Sequence, residues 1–325
     1  MKMTIQRNDT SDVTRGSETL SLDYADVALP AQRLSWLKAT CITVGNYLDV
    51  LKLRETSLIV FLGACAAILA GGGHPPVERL SIVLVALFIA SAGANGLTNY
   101  LDRAIDARME RTKHRALPSK RLHPAEKVLP LTLGLTIAGL VLAWYMHPFC
   151  FFAGLGGTVA ATVWRKRWTC VFPQGVLASC APILAAWFAI QSTPSWLLLS
   201  ICLLISIWMP LHLWSVMLAW RDDYVNAGIK FFPLNLRVER AAKILVALSF
   251  LLYASSIAVY FTSDFTWIYM VIANILGITL VYTSLRLAAS TSSKRSWTLY
   301  KLSAFPYMGL LFVAMCLDMW LRGGL

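Results

Sequence analysis

The chain has 325 residues, 57% of them hydrophobic and only 14% charged, with a mean hydropathy of +0.61. A soluble globular domain carries roughly 25% charged residues, so a water-soluble fold is all but excluded. The net charge of +12 would suggest nucleic acid in a soluble protein; here the cations cluster between apolar blocks, where membrane topology places them, and no nucleic-acid partner is expected.

Residues 1–45 are polar and of mixed charge and lack the apolar core of a signal peptide. They read as a cytoplasmic tail, with a short interfacial helix expected near Leu34 to Leu53. The remainder, 46–325, reads as one all-α membrane domain, a polytopic bundle of about nine transmembrane helices. The expected spans are 56–73, 80–101, 128–146, 148–164, 174–192, 196–220, 241–262, 267–285 and 302–321, each close to the length that crosses ~30 Å of hydrocarbon. Prolines at positions 75, 76, 148 and 194 mark breaks between them, because proline does not continue a helix. Lys and Arg concentrate between spans two and three, four and five, six and seven, and eight and nine. The positive-inside rule then makes the amino terminus cytoplasmic and puts the carboxyl terminus outside a cell membrane crossed many times. The seven cysteines and five histidines are scattered, with no spacing that suggests a disulfide framework or a metal motif.

The second span closes with two amides and two carboxylates. At ~100° per residue, Asn95, Asn99, Asp102 and Asp106 fall within an arc of about 60°. Carboxylates near a span are costly unless they face a polar cavity or a cation. The sixth span ends in Asp222 and Asp223, at the same cytoplasmic level, so the two acid pairs can line one site. Mg²⁺ is commonly held by one or two carboxylates together with substrate phosphate oxygens, and the cationic loop after Asp106 can neutralise a departing diphosphate. The competing reading is a pair of solvated helix ends, with Arg103 and Arg108 bridging Asp102 and Asp106. A secondary transporter also places acids in helices, but near the midplane between inverted repeats; here both pairs sit at one face and no internal repeat is visible.

The run Asn99-Tyr-Leu-Asp102-Arg-Ala-Ile-Asp106-Ala-Arg-Met109-Glu-Arg111-Thr112-Lys-His-Arg115-Ala-Leu-Pro118 resembles the first signature of the UbiA superfamily of intramembrane prenyltransferases. Within it, the nearest likeness is to the protohaem IX farnesyltransferase branch. The segments His212-Leu-Trp214, Asp222-Asp223-Tyr224 and Ala227-Gly228-Ile229 are similar to that branch's second signature. Lys166-Arg167-Trp-Thr169, Pro173-Gln174 and Pro182 to Trp187 are similar to a third block. The likeness runs from about Tyr47 to Asn235.

The resemblance implies nine helices around a central cavity, with Mg²⁺ and farnesyl diphosphate held between the two acidic motifs and protohaem IX as acceptor, giving haem O. Carried over by position, Asn99, Asp102, Asp106, Asp222 and Asp223 would form the catalytic metal and diphosphate site. Arg111, Lys113, Arg115 and Lys166 would cap the diphosphate. A quinone precursor or another tetrapyrrole is the alternative acceptor. On a continuous helix His212 lies about 16 Å deeper than Asp223 on nearly the same face, which suits acceptor binding, and an imidazole can ligate haem iron; a hydrogen-bonded packing histidine is the plainer reading. The sequence departs from the branch pattern at Thr98, Ala104, Ala116 (usually Pro) and Lys120 (usually Gly).

Overall fold

A computed structural model describes residues 24–163 and 171–323. The chain divides into two units, Met1–Val44 and Gly45–Leu325. Helix α1 (Tyr24–Leu51) begins ten residues before the helix expected at Leu34. The second unit consists of α2 (Leu53–Ala70), α3 (Val77–Asp106), α4 (Leu129–Met146), α5 (Pro148–Val163), α6 (Gln174–Ile190), α7 (Trp196–Ala219), the short α8 (Arg221–Asn226), α9 (Val238–Tyr260), α10 (Trp267–Ala289), α11 (Ser293–Leu302) and α12 (Leu310–Gly323). A wider, π-type segment, Ser303–Gly309, joins α11 to α12 and kinks at Ala304. No strand occurs among the described residues.

Among the described residues, seven helical segments are long and apolar enough to cross a membrane, one of them the composite Ser293–Arg322. The other two expected spans, Pro148–Val163 and Gln174–Ile190, form shorter apolar helices of 16 and 17 residues. Helix α3, with 30 residues, is about 45 Å long at 1.5 Å per residue, some 15 Å more than the hydrocarbon core requires.

Helices α2 to α7 pack each against the next, α9 lies against α7 and α10, α2 also lies against α6, and α12 returns to α2. Trp187, Ile183, Leu198, Ile201, Leu204, Tyr269 and Phe312 fill the interior. Because lipid tails are as apolar as leucine, tight helix contact in a membrane relies on small residues and close van der Waals packing. The α3–α4 pair shows this at Gly93, where a Cβ would come within 2.4 Å of Thr136 Oγ1, and at Gly139, where one would meet Ala90.

Candidate active site

The polar end of α3 is buried although it is charged. Asn99, Asp102 and Asp106 are 5%, 5% and 6% exposed, and both aspartates line a cavity of about 530 Å³ formed by α2, α3, α5, α6 and α7. Asp106 Oδ2 pairs with Arg115 at 3.2 Å. Asn99 donates from Nδ2 to the Val50 carbonyl at 2.7 Å, which leaves its buried Oδ1 without a hydrogen-bond partner. Arg103 turns to Glu126, at 3.9 Å, and lies over the Tyr100 ring. Burial of Asp102 and Asp106 removes the reading of these acids as solvated helix ends.

The loop 107–124 brings the cations and is pinned from two sides. On one side, Asp223 accepts the backbone N–H groups of Glu110 at 2.7 Å and Arg111 at 3.2 Å, while Met109 inserts among Met217, Tyr224, Ile229 and Leu234. On the other, Asp49 accepts the N–H of Ala116 at 2.7 Å and Arg121 at 3.3 Å, and Arg121 also donates to Asn46 Oδ1 at 2.6 Å. The departure at Ala116 becomes intelligible here, since proline has no N–H to give Asp49. Lys120 has a φ of +62°, in the region where glycine carries no Cβ penalty.

Held this way, Arg111 and Arg115 both line the cavity. The Arg111 guanidinium donates to Tyr224 Oη at 3.3 Å, and its buried Nε has no hydrogen-bond partner. Lys113 takes a different course: it is exposed and pairs with Glu110 at 2.6 Å. Lys166 lies outside the described residues.

The first acid pair lines the cavity and the second does not. Asp222 is exposed, and neither it nor Asp223 lines the cavity. Among the described residues no group of three or more His, Cys, Asp or Glu side chains stands close enough to hold a metal. Helix α7 ends in a break at Trp220, with φ −116° and ψ 36°, before α8 begins. The helical register that would align Asp223 with His212 is reset there, and the Asp223 carboxylate turns to the loop amides.

His212 does face the cavity. Its ring is stacked between Trp208, with centroids 4.7 Å apart, and Tyr300, at 4.6 Å. Ser303 Oγ lies 3.0 Å from His212 Nδ1 and 2.9 Å from the Tyr300 carbonyl, so Nδ1 is engaged by the serine hydroxyl. With both ring faces covered and Nδ1 engaged, the edge bearing Nε2 is what His212 offers the cavity.

Two cavity residues had no signal, or little, in the sequence. Lys52 is the single residue between α1 and α2, has a left-handed backbone with φ +50°, and lines the cavity beside Glu55. A non-glycine residue held there costs roughly 1–2 kcal/mol, and such strain concentrates at functional sites. Gln174 is 5% exposed, lines the cavity, and has no hydrogen-bond partner for its buried Nε2. Its place in the third sequence block was the only hint.

A multi-pass helical bundle whose cavity has acids and arginines at one end and aromatic and aliphatic groups further in suits an amphiphilic substrate with an anionic head. The UbiA prenyltransferase family matches residues 57–311, and the chain belongs to that family. Among curated relatives, the protoheme IX farnesyltransferase of Desulforudis audaxviator is 32% identical over 288 residues, covering 86% of this chain and 90% of that protein. The protoheme IX farnesyltransferase of Gloeobacter violaceus is 31% identical, covering 85% and 92%. Among solved structures, one of a digeranylgeranylglyceryl phosphate synthase superimposes with a TM-score of 0.71 at 15% identity, covering 85% of this chain and 98% of that one. A UbiA homolog from Archaeoglobus fulgidus bound to GPP and Mg²⁺ gives 0.60 at 16% identity, covering 85% and 99%. At these identities the structural likeness speaks for the fold.

Proposed function

We propose that the chain transfers the farnesyl group of farnesyl diphosphate to a vinyl group of protohaem IX, giving haem O. The observation that carries this reading is one cavity with Asp102, Asp106, Arg111 and Arg115 at its polar end and the Nε2 edge of His212 further in. Two relatives that the chain matches over most of their length are named for this reaction.

The polar end suits Mg²⁺. The buried Asn99 Oδ1, with no hydrogen-bond partner, is a hard oxygen donor on the same helical face as two carboxylates, the ligand type that ion prefers. Asp102, Asp106 and Asn99 would hold it; Asp222 and Asp223 would join only if α8 moved toward the cavity. Bound there, Mg²⁺ supplies Lewis-acid charge that stabilises the leaving diphosphate.

In the reaction, the C1–O bond of the donor breaks and the diphosphate leaves with the electron pair. Arg111 and Arg115 face the charge that develops on it, in a site where water is sparse and such donors act strongly. The allylic cation takes the π-electron pair of the vinyl group, forming the new C–C bond. Water then adds to the resulting carbocation and loses a proton, leaving the hydroxyethylfarnesyl side chain. The cavity walls keep stray water from the first cation. His212 orients the acceptor through the ring edge that bears Nε2, a group that would ligate haem iron when that nitrogen is unprotonated. Asp223 acts through the loop by fixing Arg111. The orientation that accompanies this reading has the acid-bearing face and the amino terminus cytoplasmic, with the carboxyl terminus outside.

The test is to incubate membranes containing the protein with haem B, farnesyl diphosphate and Mg²⁺, with Asp102→Ala alongside, and to search for farnesylated haem by mass spectrometry. Product that disappears in the variant is the expected result. Transfer to a quinone precursor, with none to haem, would replace the acceptor.

A further inference from the structure

The main cavity forks. A second void of about 150 Å³ lies between α3, α5 and α6 and shares Ile59, Ala161, Ala178 and Pro182 with the first, so the two meet at those side chains. Its mouth is polar where it nears the acids, with Thr98 and Asn95, and then narrows between Ala94, Ala90, Gly157 and Ala181. A third void of about 30 Å³ lies beyond and shares Leu87, Ala90, Gly154 and Ala185 with the second. Along α3 the lining therefore recedes from Asp106 through Thr98 and Ala94 to Leu87 and on to Val83. From Asp102 to Leu87 that path is about 22 Å at 1.5 Å per residue.

Elsewhere the interior is filled with Leu, Ile and Trp. Here alanine and glycine leave space open, which costs stability unless something occupies it. The other arm is lined by Trp208, Met209 and His212, so the two arms differ in kind: one smaller, lined mainly by alanine and glycine with the hydroxyls of Ser91 and Thr158, leading away from the acids, the other larger, with an aromatic wall and a basic nitrogen. A separate indication of a ligand is Gln174, which lines the main cavity one turn before Ala178 and whose buried Nε2 has no hydrogen-bond partner.

Building on the prenyl-transfer reading, we infer that the donor's tail lies in the α3–α5–α6 arm, with its end against Leu87, and that the acceptor takes the His212 arm. Leu87 then sets the longest tail accepted, because it stands between the second void and the third. Two variants address the two ends of this arm. Ala94→Phe plugs it midway, and Leu87→Ala opens its floor into the void beyond.

Membranes carrying each full-length protein are given haem B, Mg²⁺ and, separately, dimethylallyl, geranyl, farnesyl and geranylgeranyl diphosphates, and products are sized by mass spectrometry. Ala94→Phe is expected to lose farnesyl transfer by about 100-fold while retaining dimethylallyl transfer, and Leu87→Ala to gain geranylgeranyl transfer by ~10-fold, the scale on which a pocket discriminates a few methylenes. Farnesyl transfer at the wild-type rate by Ala94→Phe overturns the assignment. So does an unchanged donor profile in Leu87→Ala, which also covers the case in which Ala94→Phe fails to fold. A wild type that prenylates haem but whose variants keep its profile sinks the tail assignment alone. A wild type silent with every donor removes the haem-prenylation reading and this inference with it.

Discussion

The two ends of the bundle each bury a carboxylate, and they use it in opposite ways. Near one end, Asp318 of α12 is fully buried and accepts hydrogen bonds from Thr266 N at 2.9 Å, Thr266 Oγ1 at 2.8 Å and Tyr269 N at 3.1 Å. It caps the first turn of α10 from a neighbouring helix, where unpaired N–H groups favour negative charge. At the other end, Asp102 and Asp106 are nearly as buried but line a cavity, beside an amide oxygen and an arginine nitrogen with no hydrogen-bond partner. Burial of an acid in a membrane helix therefore does not distinguish a fastener from a site. What distinguishes them is whether the surrounding donors belong to a helix end or border a space that a ligand can enter.

The comparison breaks most sharply on exchange of function. Asp102→Ala is expected to lower prenyl transfer by about 10³-fold, the usual scale for losing a key electrostatic group, while the melting temperature in detergent stays near wild type. Asp318→Ala should do the reverse. It strands three buried donors and should cost ~3 kcal/mol of stability, seen as a lower melting temperature, with transfer by the folded fraction unchanged. A catalytic defect in Asp318→Ala at full stability would erase the distinction drawn between the two ends.

Smaller effects sharpen it. Asp223→Ala frees the amides of Glu110 and Arg111 and loosens the loop that aims the arginines. We expect the KM for the prenyl diphosphate to rise about 10-fold with a smaller change in kcat, since the interaction lost is one of binding and positioning. A fall in kcat matching that of Asp102→Ala would instead mark Asp223 as touching the reacting groups. The least effect is expected from Lys120→Gly, which relieves a left-handed lysine and should add ~0.5 kcal/mol, measurable as a modest rise in melting temperature with activity unchanged.

Much of the fold was legible in the sequence, and rather less of the site. Apolar block length and proline placement anticipated the first eight spans to within about five residues, because a helix in lipid must satisfy its own backbone whatever its neighbours do, but not α8, α11 or the kink at Ala304 that breaks the last span. The Asn99, Asp102 and Asp106 face followed from helical periodicity within one unbroken helix. The expectation for Asp222 and Asp223 rested on membrane level alone, and the helical arithmetic that aligned His212 with Asp223 ran across Trp220, where the helix ends. Lys113 illustrates the related limit of a loop, where charge alone does not say which side chain turns inward.

The sequence by itself determined that this is an all-helical membrane protein with a polar, acid-bearing end to its long second span, since hydrophobic length and helical period are local properties of the chain. Only the tertiary structure decided which charges share a space. It placed Arg111, Arg115 and Lys52 on the cavity, turned Asp223 to the loop that carries two of them, engaged His212 Nδ1 with Ser303, and divided the interior into two arms. Each of these depends on contacts between residues from about 40 to more than 100 positions apart, and such contacts exist only once the helices have packed.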